Sequence, residues 1–304
     1  MNFQRTKEEL TNLIAGEIRL HEPMTGHTTW QIGGPADILV LPKDKQEVLT
    51  LINYARNQGI AYTVLGNGSN LLVRDQGIRG LVIKIGFQMS NVTINENTIV
   101  RAEAGALLPK LASIFLKEQL AGMEFAAGIP AALGGAVVMN ASAHGVSMAS
   151  LVTKATVVDP QGQLLELAGQ ALGFTYRKSN LQGSGMVVVE VELKATPDNH
   201  QAIEERMKAN LYYRRSSQPM GHPNAGSVFK NPPGSAAGKI IEEAGAKGLR
   251  FGGAMVSEKH ANFIINTGGA SARDVLDLME RVQEIVQKRY DILLEPEVHV
   301  LGEG

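Results

Sequence analysis

The stretch Phe125–His144, FAAGIPAALGGAVVMNASAH, carries no charged side chain over 20 residues. A bilayer-crossing helix needs about 20 predominantly apolar residues. Here, however, Gly128, Pro130, Gly134, Gly135 and Asn140 interrupt the run, and its apolar members are mostly alanine. Such a segment has to be buried inside a protein, so the rest of the chain must supply a large apolar core around it. With 304 residues, 44% of them apolar, the chain can do so, and its length suggests about two domains of ~150 residues. The N-terminus MNFQRTKEEL is charged and lacks a signal-peptide stretch. The expectation is a soluble, cytoplasmic chain without membrane insertion. Net charge is −1, with both signs spread along the sequence, which points away from a nucleic-acid or membrane-surface partner. The absence of cysteine excludes a disulfide framework, a thiolate zinc site and a cysteine nucleophile. The seven histidines show no metal-ligand spacing, so no metal is expected.

Residues 38–41 (ILVL) read as a strand. Asp44 and Glu47 then form a capping-box-like start to a helix carrying Val48, Leu49, Ile52 and Ala55, which Gly59 ends. Residues 60–65 make a second strand, giving a β-α-β unit that favours parallel pairing. Another strand covers 81–85. Beyond residue 91 hairpins take over: NVTI and TIVRAEAG around the turn NEN, then KATVVD and LLEL around PQGQ. Between them lies a helix with Pro109 in its first turn. Residues 186–195 form a long strand, and TPD (196–198) opens a charged, inter-domain-type helix reaching Arg214. A short helix near 236–245, a strand ANFIIN and a helix capped by Ser271 complete the chain. The class is α+β with a boundary near residue 200.

VLGNGSNLLV (64–73) begins like a dinucleotide fingerprint, but Leu71 replaces the third glycine and a strand-like LLV follows instead of a helix. What remains is a turn in which Gly66 and Gly68 allow positive φ, so that successive amides can form an anion nest, with Asn67, Ser69 and Asn70 adding short polar groups. Taken alone it also reads as a plain strand-to-strand turn. GSAAGKI (234–240) is one residue short of a P-loop and is rejected. The small residues of 128–145 would let a flat ligand lie against bare backbone, or would pack as a tight Gly/Ala helix start. AGSVFKNP (225–232) places Ser227 outside any G-x-S-x-G nucleophile elbow and without an activating histidine. Its hydroxyl is either structural or does something other than attack.

TTWQIGGPAD, VLGNGSNLLV, GIPAALGGAVVMNASAHG, YRKSN, AGSVFKNP and LEPEV occur in this order between about residues 22 and 302. Together they resemble the UDP-N-acetylenolpyruvoylglucosamine reductase family, flavoenzyme oxidoreductases of bacterial peptidoglycan synthesis and hence of cell wall biogenesis, cell shape and cell division. The resemblance implies a two-lobed FAD-binding domain of the vanillyl-alcohol-oxidase/PCMH type over 1–200, with lobes at roughly 1–88 and 89–200. A smaller α+β substrate-binding domain would cover 201–304, its C-terminal strand 293–304 returning to the active site. FAD would be held non-covalently by Gly66, Asn67, Gly68, Ser69 and Asn70, and by Gly128, Ile129, Pro130, Gly134, Gly135, Ala136, Asn140, Ala141 and Gly145.

The implied reaction passes hydride from NADPH through FAD to the enolpyruvyl ether of a UDP-sugar nucleotide, giving a lactyl ether. Hydride arrives at C3, charge builds at C2 and on the adjacent carboxylate, and C2 then takes a proton. Such chemistry needs fixed donors at the developing enolate and an acid on one face. By resemblance Arg177 holds the carboxylate, Ser227 donates the proton and Glu297 works with Arg177. Glu295 is the alternative two residues away. Tyr176, Lys230 and Asn231 would contact substrate, and Ser179 would sit beside flavin or substrate. About fifty residues separate Tyr176 from Ser227, which leaves little room for the inserted tyrosine lid of part of the family, so the chain resembles the shorter subclass without it. His299 stands where an arginine is common. A monomer is expected. The competing readings are an FAD-dependent oxidase of an alcohol or sugar on the same fold, and a non-enzymatic nucleotide-binding module.

Overall fold

The computed structural model describes residues 2–95 and 98–304. The chain folds into two compact units drawn from interleaved segments: residues 1–20, 38–67 and 80–213 in the first, and 21–37, 68–79 and 214–304 in the second. No single cut in sequence separates them. The expected boundary at 200 falls at the start of the helix His200–Ser217, whose last turn crosses from one unit to the next.

Two larger sheets lie mainly in the first unit. One orders its strands Glu17–Pro23, Pro35–Leu41, Ile78–Lys84 and Tyr62–Leu65. Tyr62–Leu65 pairs in parallel with Ile78–Lys84. The β-α-β unit expected from 38–41 and 60–65 therefore forms with a third strand between its two members. Periodicity shows that a strand faces the core, but says nothing of which neighbour it takes. The helix Lys45–Gln58 behaves as its local signals dictate: Asp44 accepts from the amides of Gln46 and Glu47, and Gly59 closes it at φ 63°. The capping box does not form, however. Glu47 accepts instead from the amides of Ala15 (2.7 Å) and Lys43 (2.8 Å).

The other sheet is antiparallel, ordered Leu164–Ala168, Val152–Val158, Val187–Lys194, Ile99–Glu103 and Val92–Ile94. Both expected hairpins are present. Glu96 and Asn97 of the NEN turn lie outside the described residues. Leu108, Leu111 and Phe115 of the helix Leu108–Lys117 share one core with Val100, Val191, Leu133 and Val137. That core also takes in Val48, Leu51 and Ile52, so both sheets are covered by one continuous apolar interior.

In the second unit a three-stranded antiparallel sheet (Arg250–Phe251, Ala254–Val256, Ile264–Asn266) packs with the helices Ala237–Glu243 and Ala272–Tyr290. Val275, Leu278, Met279, Val282 and Val286 line the buried face of the long helix. Its N-terminus is capped twice. Ser271 and Asp274 form a capping box, and the Asp75 carboxylate accepts from the amides of Ala272 (2.7 Å) and Arg273 (3.0 Å). Trp30 is fully buried and donates from Nε1 to the Ile264 carbonyl at 2.8 Å. A short parallel pair, Leu71–Val73 with His299–Leu301, ties the C-terminal segment to the strand after the glycine turn. Among the described residues no helix is long and apolar enough to cross a membrane.

Candidate functional site

In the first unit two of the expected cofactor segments meet. Asn67 Nδ2 donates to the Pro130 carbonyl at 2.6 Å. Gly66 approaches so closely that a Cβ there would lie 3.1 Å from Ala132 Cβ. Gly66 does not take positive φ; its role is close approach, and Gly68 alone of the two is left-handed, at φ 64°.

Residues 131–134 run along the segment 104–108, with Leu108 donating to the Ala131 carbonyl, Leu133 to Ala106 and Gly134 to Ala104. Gly134 packs inward, where a Cβ would meet Ala104 Cβ at 2.9 Å, and Ala136 is buried in the core. By contrast Pro130, Gly135 and Gly145 are exposed, and a Cβ on either glycine would meet nothing within 4 Å. The segment thus has a packed face and a bare one. A bare, amide-bearing surface of small residues is what a flat dinucleotide with a pyrophosphate requires, so the residues present fit FAD. Asn140, at φ 44°, uses its side chain within the fold, donating to the Thr175 carbonyl (2.8 Å) and accepting from the Ala149 amide (3.0 Å).

Thr175 and Lys178 exchange two backbone hydrogen bonds around Tyr176 and Arg177. Arg177 sits at φ 56°, the third position of a turn that ordinarily asks for glycine or asparagine. Asn140 holds this turn at Thr175, and Gln182 Nε2 holds it at the Arg177 carbonyl (3.0 Å). The Arg177 guanidinium donates from Nη1 to Ser142 Oγ (2.8 Å) and to the Ser142 carbonyl (3.2 Å). It lies 5.6 Å from the centroid of the exposed Tyr176 ring. A left-handed arginine clamped from two sides and aimed by a third residue is a strained element retained by its surroundings. Ser179 is buried, and its hydroxyl donates to the Val138 carbonyl at 2.6 Å.

In the second unit Ser227 and Glu297 lie on paired segments. The Glu297 amide donates to the Val228 carbonyl at 2.7 Å, Lys230 donates to the Glu295 carbonyl at 2.8 Å, and Phe229 bridges Pro296 antiparallel. Asn70 adds a third strut. Its Nδ2 donates to the Glu297 carbonyl (3.1 Å), and its own carbonyl accepts from the His299 amide (3.0 Å). The resemblance places Asn70 at the cofactor, and its side chain also bonds the backbone of the Glu297 segment. Glu295 is exposed and ion-paired with Lys230, whereas Glu297 is half-buried. Asn231 Oδ1 accepts from the Ala237 amide at 2.9 Å, capping the helix Ala237–Glu243. Asn262, which no sequence motif singled out, is 3% exposed and bonded to the backbone of Val228 and Phe229.

Residues 36–168 match the FAD binding domain family, and residues 218–301 match the family described as UDP-N-acetylenolpyruvoylglucosamine reductase, C-terminal domain. The reductase of that name from Desulforamulus reducens is 49% identical over 295 residues, 97% of each chain. The one from Moorella thermoacetica is 49% identical over the full length of both chains. The crystal structure of the Thermus caldophilus reductase superposes with a TM-score of 0.81 at 38% identity, covering 95% of this chain and all of that one. The α+β architecture with an FAD-binding domain of the vanillyl-alcohol-oxidase/PCMH type accords with these likenesses. On sequence, on structure and over its whole length, the chain belongs to the UDP-N-acetylenolpyruvoylglucosamine reductase family.

Proposed function

We infer that the chain catalyses the NADPH-dependent, FAD-mediated reduction of UDP-N-acetylglucosamine enolpyruvate to UDP-N-acetylmuramate, in peptidoglycan precursor synthesis. It acts as a monomer in the cytoplasm, on a UDP-sugar nucleotide. The observation that carries the reading is the pairing of the Ser227 and Glu297 segments, on a chain that shares about half its residues with reductases of this name. FAD, when bound, supplies the two-electron chemistry linking NADPH to the substrate.

The residues supply the rest. Arg177, always charged and planar, forks onto the substrate carboxylate and stabilises charge developing there. Its pre-set contact with Ser142 removes rotamer freedom before substrate arrives. Ser227 gives its hydroxyl proton to C2. A serine is a poor acid in water, but a carbanion is a base strong enough to take that proton without an activating histidine. Glu297 works with Arg177 around the enolate. Lys230 exchanges its exposed carboxylate partner Glu295 for substrate phosphate or carboxylate, and Tyr176 and Asn231 line the substrate.

Visible absorption tests this directly. The purified protein is expected to be yellow, bleached by NADPH, and re-coloured without oxygen by the enolpyruvyl sugar nucleotide. Ser227→Ala is expected to keep the NADPH step within about twofold and to slow re-colouring by at least about a hundredfold. A folded protein that takes up no FAD, or one re-coloured only by dioxygen, overturns the reading.

A further inference from the structure

We propose that Asn262 is a positioning residue for the reaction, fixing the backbone that carries the Ser227 hydroxyl. The proposal rests on the proton-donor reading of Ser227. Val228 and Phe229, the two residues after the serine, are buried, and all four of their backbone polar groups are committed. Asn262 takes three of them. Its carbonyl accepts from the Val228 amide (2.9 Å), its Oδ1 from the Phe229 amide (3.0 Å), and its Nδ2 donates to the Phe229 carbonyl (2.8 Å). The fourth, the Val228 carbonyl, accepts from Glu297.

An asparagine side chain presents one donor and one acceptor in the plane of an amide. Here it serves residue 229 as a neighbouring strand would, while its own main chain serves residue 228. On the other side of the serine, Gly226 turns at φ 78°, and its amide donates to Asn224 Oδ1 at 2.9 Å. Ser227 is therefore held between two asparagine-pinned points. Among the described residues these bonds engage the backbone around Ser227 and leave its hydroxyl out.

The pattern suits a group that must deliver a proton to one face of one carbon. Displacement by about 1 Å from the productive geometry costs on the order of a hundredfold in rate. A buried asparagine used only for stability would do equally well beside any loop. This one brackets the proposed donor and, through Val228, the Glu297 segment as well.

Asn262→Ala and Asn262→Asp test it; the second keeps the volume and the acceptor but replaces the donor to Phe229 with a second acceptor and a buried ionisable carboxyl. Both are studied as FAD-loaded protein. The expected result is reduction by NADPH within about twofold of wild type, and oxidation by the enolpyruvyl substrate slowed by about thirtyfold or more, with a larger solvent deuterium isotope effect on that step. In a Ser227→Ala background the added substitution should change oxidation by less than about twofold, because it acts through the serine. Equal slowing of both half-reactions, multiplicative effects in the double variant, or a fall in Tm with unchanged oxidation would each overturn the proposal. Ser227→Ala alone oxidised at the wild-type rate would instead sink the donor reading on which it rests.

Discussion

Arg177 Nη1 lies 2.8 Å from Ser142 Oγ, so a hydroxyl of the small-residue segment holds the guanidinium. A hydrogen bond to a charged group contributes about 1.5–3 kcal/mol, and the Ser142 carbonyl retains part of that hold after truncation. Ser142→Ala is expected to slow substrate reduction by about tenfold, with Tm nearly unchanged. Arg177→Lys, which keeps charge but loses the planar fork, should slow it by about 10²–10³. Stopped-flow oxidation by the enolpyruvyl substrate separates the two. A Ser142→Ala protein oxidised at the wild-type rate would mean that the serine does not aim the arginine.

The backbone of Arg177 gives a second, independent measurement. At φ 56° a residue with a Cβ is strained by about 1–2 kcal/mol, and glycine is not. Arg177→Gly and Arg177→Ala both remove the guanidinium and should be equally inactive. Gly is nevertheless expected to be more stable than Ala by about 1 kcal/mol, or about 2–4 °C in Tm. Elsewhere in a turn or strand the order commonly reverses. Thermal unfolding of the pair reports whether strain is held at the arginine for function.

What the sequence made legible was local. The Gly59 stop, the Ser271 cap, the two hairpins and the stripe from Val275 to Val286 all follow from neighbours within a few positions. What it hid was long-range. The insertion of Ile78–Lys84 between Pro35–Leu41 and Tyr62–Leu65 depends on sheet assembly, which period-two patterning does not encode. Glu47 answered to Ala15 and Lys43, one of them 32 positions away, rather than completing its own cap. At the site, residue types were readable through motifs, whereas the left-handed backbone of Arg177 and the bonds of Asn262 to residues 33–34 positions back were not. Both are properties of three-dimensional closure rather than of any window.

His260 should titrate below the usual histidine range. Burial is the main cause; Lys247 also disfavours its charged form, while its own backbone and Glu242 oppose the shift. Its Nδ1 accepts from the Asn262 amide at 3.3 Å, which requires that nitrogen to be unprotonated. Because the folded state lowers this pKa, the neutral ring contributes stability above the unfolded value of about 6.5, and that contribution is lost as pH falls from there through the folded value. Tm should decline between about pH 7 and pH 5, and His260→Gln should flatten the part of the slope due to this ring. An NMR titration of the His260 ring with a midpoint at or above 6.5 would contradict the expectation.

The bare face of the small-residue segment can be separated from the tightly packed glycine turn by single methyl groups. An alanine at position 68 would need a left-handed backbone and would bring its Cβ to 2.1 Å from the His27 carbonyl oxygen, so Gly68→Ala is expected to destabilise the apoprotein by about 2 kcal/mol or more. Gly135 lies within the helix Leu133–Val138, is exposed, and would have nothing within 4 Å of an added Cβ. Alanine there should leave the apoprotein as stable as wild type, or more stable by up to about 1 kcal/mol through helix propensity. If FAD lies against this backbone, the same methyl occupies its place, and FAD affinity should fall by at least about tenfold. Titrating each apoprotein with FAD while following flavin fluorescence, beside its thermal unfolding, reads both quantities. A Gly135→Ala protein that is stable and binds FAD like wild type would move the cofactor off this surface.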